Sequence, residues 1–246
     1  PLARVALFQG RGRARLVWTF PHIVMDGRAF APALRDLFAT YDALRSGAGG
    51  AMGAPDAPAA APFAAYVEAV RSRSGAGDEA FFRELLAGFG APTPLPAGVS
   101  AGPVTRVRRV LSPEASARLR ATAAAWDVSV ATFVQAAFAL VLGRHAGEQD
   151  VVFAAVRAAR RGVGAAFAET LGTCIHTQPV RARWEGLTAR QLAQALRQQS
   201  VALRAHELAS LVDVQRWSGV PAGRALAEAL LVYDDRLLDG AVKAQP

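Results

Sequence analysis

The chain has 246 residues, 52% of them hydrophobic, which is enough to bury a substantial core in one large domain or in two lobes. No stretch approaches the roughly 18 apolar residues of a membrane span, and the first residues lack a signal-peptide layout, so we expect no membrane partner. The formal net charge of +8 comes from arginines scattered over many segments, without a basic run that alternates with aromatic residues, so we expect no nucleic acid partner.

Cys174 is the single cysteine of the chain, which rules out an intrachain disulfide and a cysteine-based zinc cluster. A chain without disulfides fits a reducing compartment. We therefore expect a cytoplasmic protein without a metal site, with Cys174 as a small core residue.

The first predicted elements are two strands, ARVALF and ARLVWTF, joined by the glycine-containing turn QGRGR. After a loop, apolar residues recur every three or four positions from Phe30 to Leu44, which predicts an amphipathic helix. A low-complexity connection, SGAGGAMGAPDAPAAAP, precedes two further helices around residues 63–71 and 79–89. The proline- and glycine-rich stretch GAPTPLPAGVSAGP then predicts a boundary between residues 1–103 and residues 104–246.

The second part also alternates strands and helices. VTRVRRVL and DVVFAAV are predicted strands, TCIHTQPVRARW is a further extended segment, and EALLVYD is the last strand. SPEASARLRATAAAW carries the start signals of a helix, SVATFVQAAFALVLGRH is apolar enough to be a buried helix, and a Thr188/Gln191 capping box opens a long helix. The interleaving predicts an α/β class.

The segment LVWTFPHIVMDGRAF, residues 16–30, carries the candidate chemistry. A neutral imidazole is well suited to accept a proton near pH 7, so His22 is a candidate general base. Two roles are open for Asp26, which either holds the imidazole or holds the loop by pairing with a distant arginine. Gly27 allows a backbone conformation or a close approach that a Cβ would block, and Pro21 fixes φ just before His22.

A purely structural interpretation of this segment is also open. The segment would then be a strand-to-helix turn, with Asp26 near a helix N-terminus where a carboxylate complements the helix dipole. So short a pattern also arises by chance, and the residues alone do not choose between the two interpretations.

FPHIVMDGRAF resembles the His-His-x-x-x-Asp-Gly motif of the condensation domains of nonribosomal peptide synthetases, which belong to the chloramphenicol acetyltransferase-like superfamily. Four further segments resemble this family in the same order, so that the matches cover most of residues 14–235: PFAAYVEAVRSR, SVATFVQAAFALVLGRHAGEQDVVFAAVRAARR, LGTCIHTQPVRARW and LRAHELASLVDVQRWSGVP. The resemblance implies a two-lobed α/β fold of the acetyltransferase type around a tunnel. In the family the active-site loop lies well over a hundred residues into the domain, so we expect this chain to be incomplete at both ends.

The resemblance also implies roles for individual residues. His22 takes the position of the catalytic histidine, and Asp26 takes that of a structural aspartate whose partner would be Arg160. Gly27 takes the position of the motif glycine, whose backbone N–H is a candidate to face the developing oxyanion.

Three residues or segments depart from the family pattern. Pro21 stands where the family has its first histidine, and the strand ends in AAR, where that of relatives commonly ends in Ser-Gly-Arg. His176 stands where relatives have asparagine, and we count Pro21 and His176 as candidates for lining the tunnel.

The leading hypothesis is acyl transfer from a carrier-bound thioester to an amine or hydroxyl acceptor in nonribosomal peptide or polyketide biosynthesis. Donor and acceptor acyl or peptidyl carrier proteins would supply the phosphopantetheine arms, and no tightly bound cofactor is expected. Two alternatives stay open: a catalytically degenerate domain that docks carrier proteins, and a coenzyme-A-dependent acyltransferase of the same superfamily.

Overall fold

The computed structural model describes residues 2–47, 60–95 and 105–234. Helices and strands alternate along these residues, which confirms the predicted α/β class. The elements in chain order are β1 Arg4–Gly10, β2 Arg13–Thr19, the 3-10 helix η1 Gly27–Ala29, α1 Phe30–Arg45, α2 Phe63–Ser72, α3 Asp78–Leu85, α4 Pro113–Ala125, α5 Val130–Ala146, β3 Asp150–Ala158, α6 Arg160–Val163, the 3-10 helix η2 Ala165–Phe167, β4 Ile175–Arg183, α7 Ala189–Leu203, α8 Leu211–Trp217 and β5 Leu230–Leu231.

The described residues divide into two compact units that do not follow chain order. The first unit contains residues 2–47, 60–73 and 158–175 together with residue 234. The second unit contains residues 74–95, 105–157 and 176–233. The lobe boundary predicted between residues 103 and 104 lies outside the described residues.

The first unit opens with an antiparallel hairpin. Arg4 of β1 lies opposite Thr19 of β2, and Gly10 lies opposite Arg13. Gly12, in the two-residue connection, has a φ of +70°, in the left-handed region that favours glycine. The structure therefore confirms the predicted pair of strands and the turn between them.

Aromatic packing joins the end of this hairpin to the first helix. The rings of Trp18, Phe20 and Phe30 lie with centroids 5.3–6.1 Å apart. Trp18 is in β2, and Phe30 is the first residue of α1. The cluster thus fixes the points where the chain enters and leaves the loop of residues 21–26.

The core of the second unit lies between a sheet and helices. The sheet has the order β4-β3-β5, and Ala154 and Ala155 of β3 pair in parallel with Leu230 and Leu231 of β5. The larger buried cluster comes from α4, α5, β3, β4 and α7 and from the turn after α4, and comprises Ala123, Val128, Ala136, Ala139, Leu142, Val151, Phe153, Ala155, Val180, Ala182, Leu192, Ala193 and Leu196. The helix predicted to be buried, α5, exposes Val141, so it is apolar beyond the face that it buries.

Polar side chains tie α3 to the rest of the second unit. Arg181 on β4 forms a two-pronged ion pair with Asp150 and donates to the carbonyls of Leu85 and Ala87 at the end of α3. At the start of α3, the buried Asp78 lies 2.7 Å from Nδ1 of His206. These contacts satisfy charged groups that the sheet and helix would otherwise bury unpaired.

The helix start signals of the sequence are present in the structure. The hydroxyl of Ser112 accepts from the N–H of Ala115 at the start of α4. Thr188 and Gln191 form the predicted capping box of α7, with both reciprocal hydrogen bonds. Local side-chain chemistry therefore set these two helix starts.

The strand predicted in VTRVRRVL is wrong for its described residues. Residues 105–111 carry no strand and are exposed. A β-strand needs a neighbour to accept its ladder hydrogen bonds, and the described residues provide none for this segment. The residue types of this segment alone therefore did not suffice to make it a strand.

Among the described residues no single helix has the length and apolar content to cross a membrane. Only α4 and α5 taken together pass that test, and they are bent by 98° at the break between them.

Candidate active site

The loop after β2 brings His22 to an exposed tip. The N–H of Val24 donates to the carbonyl of Pro21 at 3.0 Å, which closes a turn over residues 21–24. His22 is exposed and Ile23 is 78% exposed, whereas Met25 and Asp26 are buried. The loop thus passes from solvent to core within five residues.

Asp26 is the buried end of this loop and is 1% exposed. Its carboxylate faces Arg160, whose Nη1 lies 2.9 Å from Oδ2 and whose Nη2 lies 2.8 Å from Oδ1. Oδ1 also accepts from the N–H groups of Arg28 and Ala29, and Oδ2 accepts from the N–H of Cys174 at 2.8 Å. The carboxylate therefore caps η1 and pairs with an arginine 134 residues away.

Arg160 is equally enclosed, with 3% of its surface exposed. It is the first residue of α6, and its guanidinium also donates to the carbonyls of Thr170 and Gly172. Backbone carbonyls thus satisfy donors that the carboxylate does not reach. The sequence left two roles open for Asp26, and its contacts match the second, pairing with a distant arginine.

Residues 170–174 support the loop from behind. The N–H of Asp26 donates to the carbonyl of Gly172 at 3.3 Å. The Thr173 hydroxyl lies 2.8 Å from the carbonyl oxygen of His22 and 3.0 Å from that of Ile23. A Cβ at Gly172 would overlap the ring of Phe63, so this position requires glycine.

The contacts of Thr173 and Cys174 with the loop were not predicted from the sequence. Thr173 is 151 residues from His22 along the chain, and its bond uses only a hydroxyl and a backbone carbonyl. Such a contact leaves no local pattern in the sequence. Only the resemblance of LGTCIHTQPVRARW to a family strand marked the segment.

Gly27 has a different environment from the one that its residue type suggested. A Cβ added there would meet no heavy atom within 4 Å, and its φ is outside the left-handed region. Neither crowding nor a left-handed backbone within the described residues therefore explains the glycine, and a close approach by a substrate stays a prediction. The N–H of Gly27, at the start of η1, has no hydrogen-bond partner in the described part of the chain.

The remaining candidates occupy separate places. Pro21 is exposed in the first unit, and His176 lies half-buried on β4 in the second. The imidazole of His22 makes no hydrogen bond to the residues that the structure describes, and Asp26 does not hold it. Over residues 2–47, 60–95 and 105–234, no three His, Cys, Asp or Glu side chains are grouped as metal ligands.

We expect Asp26→Asn to lower the free energy of unfolding by about 3–5 kcal/mol, because it leaves the buried guanidinium of Arg160 without its counter-charge. Urea unfolding followed by tryptophan fluorescence measures the change. Asp36→Asn is the matched control, because Asp36 pairs with Arg35 at the surface and its loss should cost less than about 1 kcal/mol. Equal losses of unfolding free energy in the two variants would contradict the larger contribution of the buried pair to stability.

Burial raises the pKa of the Cys174 thiol from 9.0 to about 11, while the charge of Arg160 lowers it and that of Asp26 raises it by smaller amounts. Because the thiolate is the reactive form, a thiol reagent at pH 8 should label the native chain at least about 100-fold more slowly than the urea-unfolded chain. The fold favours the protonated thiol, so this contribution to stability is present below pH 9.0 and is lost as the pH rises towards about 11. Equal labelling rates would contradict the burial of Cys174.

Comparison with known proteins adds to this geometry. A family model described as Condensation domain matches residues 1–237. Chondramide synthase cmdD of Chondromyces crocatus is 36% identical over 100% of this chain and 6% of its own length. One of the proteins that make up the linear gramicidin synthase of Brevibacillus parabrevis is 33% identical over 99% of this chain and 3% of its own length.

Solved structures show the same likeness. The first condensation domain of the calcium-dependent antibiotic synthetase, in complex with a substrate analogue, is 27% identical and matches 94% of this chain and 53% of its own, with a TM-score of 0.67. The X-domain from teicoplanin biosynthesis, 24% identical, matches 93% of this chain and 54% of its own with a TM-score of 0.72, and it supports the fold alone. The chain thus spans about half the length of these structures and a small part of the synthases. By its family match and its relatives, the chain belongs to the condensation domain family of nonribosomal peptide synthetases.

Proposed function

We propose that this chain transfers an acyl group from a carrier-bound thioester to an amine or hydroxyl acceptor, and so forms an amide or an ester in nonribosomal peptide or polyketide biosynthesis. The family match and the two synthases support the proposal. The observation that carries it is the loop, in which His22 is exposed while Asp26 is buried and held by Arg160. General-base catalysis requires an imidazole that the substrate can reach and that its surroundings hold in place, and this loop offers a reachable imidazole on a held backbone.

In the proposed reaction, His22 accepts a proton from the acceptor group as that group attacks the thioester carbonyl carbon. A C–N or C–O bond forms, the C–S bond breaks, and the proton passes from the imidazolium to the departing thiolate. Asp26 takes no part in proton transfer, because its carboxylate is already bound to Arg160 and to backbone N–H groups. The N–H of Gly27 would donate to the developing oxyanion, and the open space at this residue would admit the substrate.

We propose that both substrates arrive on phosphopantetheine arms of acyl or peptidyl carrier proteins, one with the acyl group and one with the acceptor. The arms belong to the carriers, so the chain itself would hold no tightly bound cofactor. We further propose that Pro21 and His176 line the path of the arms. The reaction would take place in the cytoplasm. The match to the condensation domain family and the synthase relatives support carrier-bound substrates as a class.

We expect His22→Ala to lower the rate of product formation by about 10²-fold or more, because general-base assistance is worth about that much. The assay loads an acyl group on the donor carrier and an amine or hydroxyl acceptor on the second carrier, and follows the product by mass spectrometry. His145→Ala is the matched control, because His145 is also exposed but lies in the last turn of α5 in the second unit.

Near wild-type turnover by the His22→Ala variant would remove the proposed base. The same assay with a soluble acyl-coenzyme A in place of the acyl carrier tests the coenzyme-A alternative. Product from acyl-coenzyme A at the rate seen with the carrier would favour that alternative.

Pro21 favours the second candidate, a domain that docks carriers without forming bonds, since proline has no side-chain donor or acceptor beside His22. We expect Pro21→His to leave turnover within about threefold of the wild type, because hydrogen bonds to residues 172–174 hold the loop. A silent wild type that gains turnover through Pro21→His would instead favour the degenerate domain.

A further inference from the structure

We propose that Thr173 is a positioning residue for His22, and that its hydroxyl fixes the backbone from which the imidazole projects. The inference rests on the proposed function, in which His22 is the base. It concerns a contact that belongs neither to the loop itself nor to the Asp26 and Arg160 pair.

The contact is short and joins distant parts of the chain. The Thr173 hydroxyl lies 2.8 Å from the carbonyl oxygen of His22 and 3.0 Å from that of Ile23. Both distances are those of O–H···O hydrogen bonds, and one hydroxyl hydrogen serves both acceptors or alternates between them. The peptide planes on either side of Ile23 therefore face the same donor.

The neighbours of Thr173 fix the hydroxyl in place. The carbonyl of Gly172 accepts from the N–H of Asp26, and the N–H of Cys174 donates to the Asp26 carboxylate. Residues 172, 173 and 174 thus each bind the loop, the first and third at its buried end and the second at its exposed tip. Because Asp26 anchors the backbone on both sides of Thr173, the Thr173 hydroxyl is held where it can bind the carbonyls of residues 22 and 23.

The exposed tip of the loop needs such a donor. Pro21 has no hydrogen-bonding side chain, and the side chain of Ile23 is 78% exposed. The hydrogen bond from Val24 to Pro21 closes the turn but does not involve the carbonyls of His22 and Ile23. Without Thr173, these two carbonyls could rotate towards water. Holding the carbonyl of His22 restricts ψ of that residue, which fixes the Cα–Cβ bond from which the ring projects towards an incoming acceptor.

We expect Thr173→Val, which keeps the shape and removes the hydroxyl, to lower kcat by about tenfold with little change in KM for the acceptor carrier, because a misdirected base slows the chemical step rather than docking. Thr173→Ser keeps the donor and should stay within about threefold of the wild type. Thr40→Val is the matched control, since the Thr40 hydroxyl also donates to a backbone carbonyl, that of Asp36 in α1.

A double-mutant cycle separates positioning from general destabilisation. If Thr173 acts through His22, Thr173→Val should change the residual rate of the His22→Ala variant by less than about twofold. An equal loss in both backgrounds would overturn the proposal, as would equal rates for Thr173→Ser and Thr173→Val. A Thr173→Val protein without a cooperative unfolding transition would make the hydroxyl a requirement of folding and would overturn the proposal as well.

Hydrogen exchange of the intact protein, measured by mass spectrometry, tests the contact without reference to turnover. Peptides that cover residues 20–26 should exchange faster in Thr173→Val than in the wild type, Thr173→Ser or Thr40→Val. Unchanged exchange together with unchanged kcat would overturn the positioning role while leaving His22 as the base. Faster exchange in Thr173→Val, in a protein whose turnover does not depend on His22, would instead remove His22 as the proposed base and leave Thr173 as a support of the loop alone.

Discussion

Taking a carboxylate and a guanidinium out of water costs several kcal/mol for each ion, and Asp26 and Arg160 offset this cost by facing each other through two hydrogen bonds. Their remaining capacity is met by backbone groups of η1 and of residues 170–174. Three chain segments are thereby held at one point. The conformation of the candidate site depends on this pair, since both the start of η1 and the segment behind the loop are built onto it.

The pair also explains how one short loop combines rigidity with access. Its buried end cannot move without leaving an unpaired charge in the core, while its tip carries an imidazole in contact with solvent. Thr173 connects the two ends, because it extends from the anchored backbone to the carbonyls at the tip. A general base on a mobile backbone would lose much of the rate advantage of a fixed geometry. The contacts of Thr173 would limit that loss if His22 is the base.

The sequence predicted the fold where local chemistry decides it. The hairpin with Gly12 at its turn and the capping box of Thr188 and Gln191 follow from residues close together in the chain. Residues 105–111 failed as a strand because a strand depends on a distant neighbour. At the site, the chemistry of the loop suggested His22 and left Asp26 undecided, and only a family resemblance suggested Arg160. Thr173 was out of reach, because a hydroxyl bound to a carbonyl 151 residues away has no sequence signature.

The first unit is discontinuous, and this has a consequence for recombining such domains. The loop of His22 lies before residue 73, whereas Arg160 and Thr173 lie after residue 158, so residues 74–157, the first of the two segments of the second unit, lie between them in the chain. A crossover between two parent sequences anywhere in residues 74–157 would give the loop from one parent and its supports from the other. Chimeras would then combine a candidate base from one parent with supporting residues from the other that did not evolve with it. Exchanging residues 74–157 alone, with both flanking segments from one parent, keeps the His22 loop with the supporting residues of the same parent.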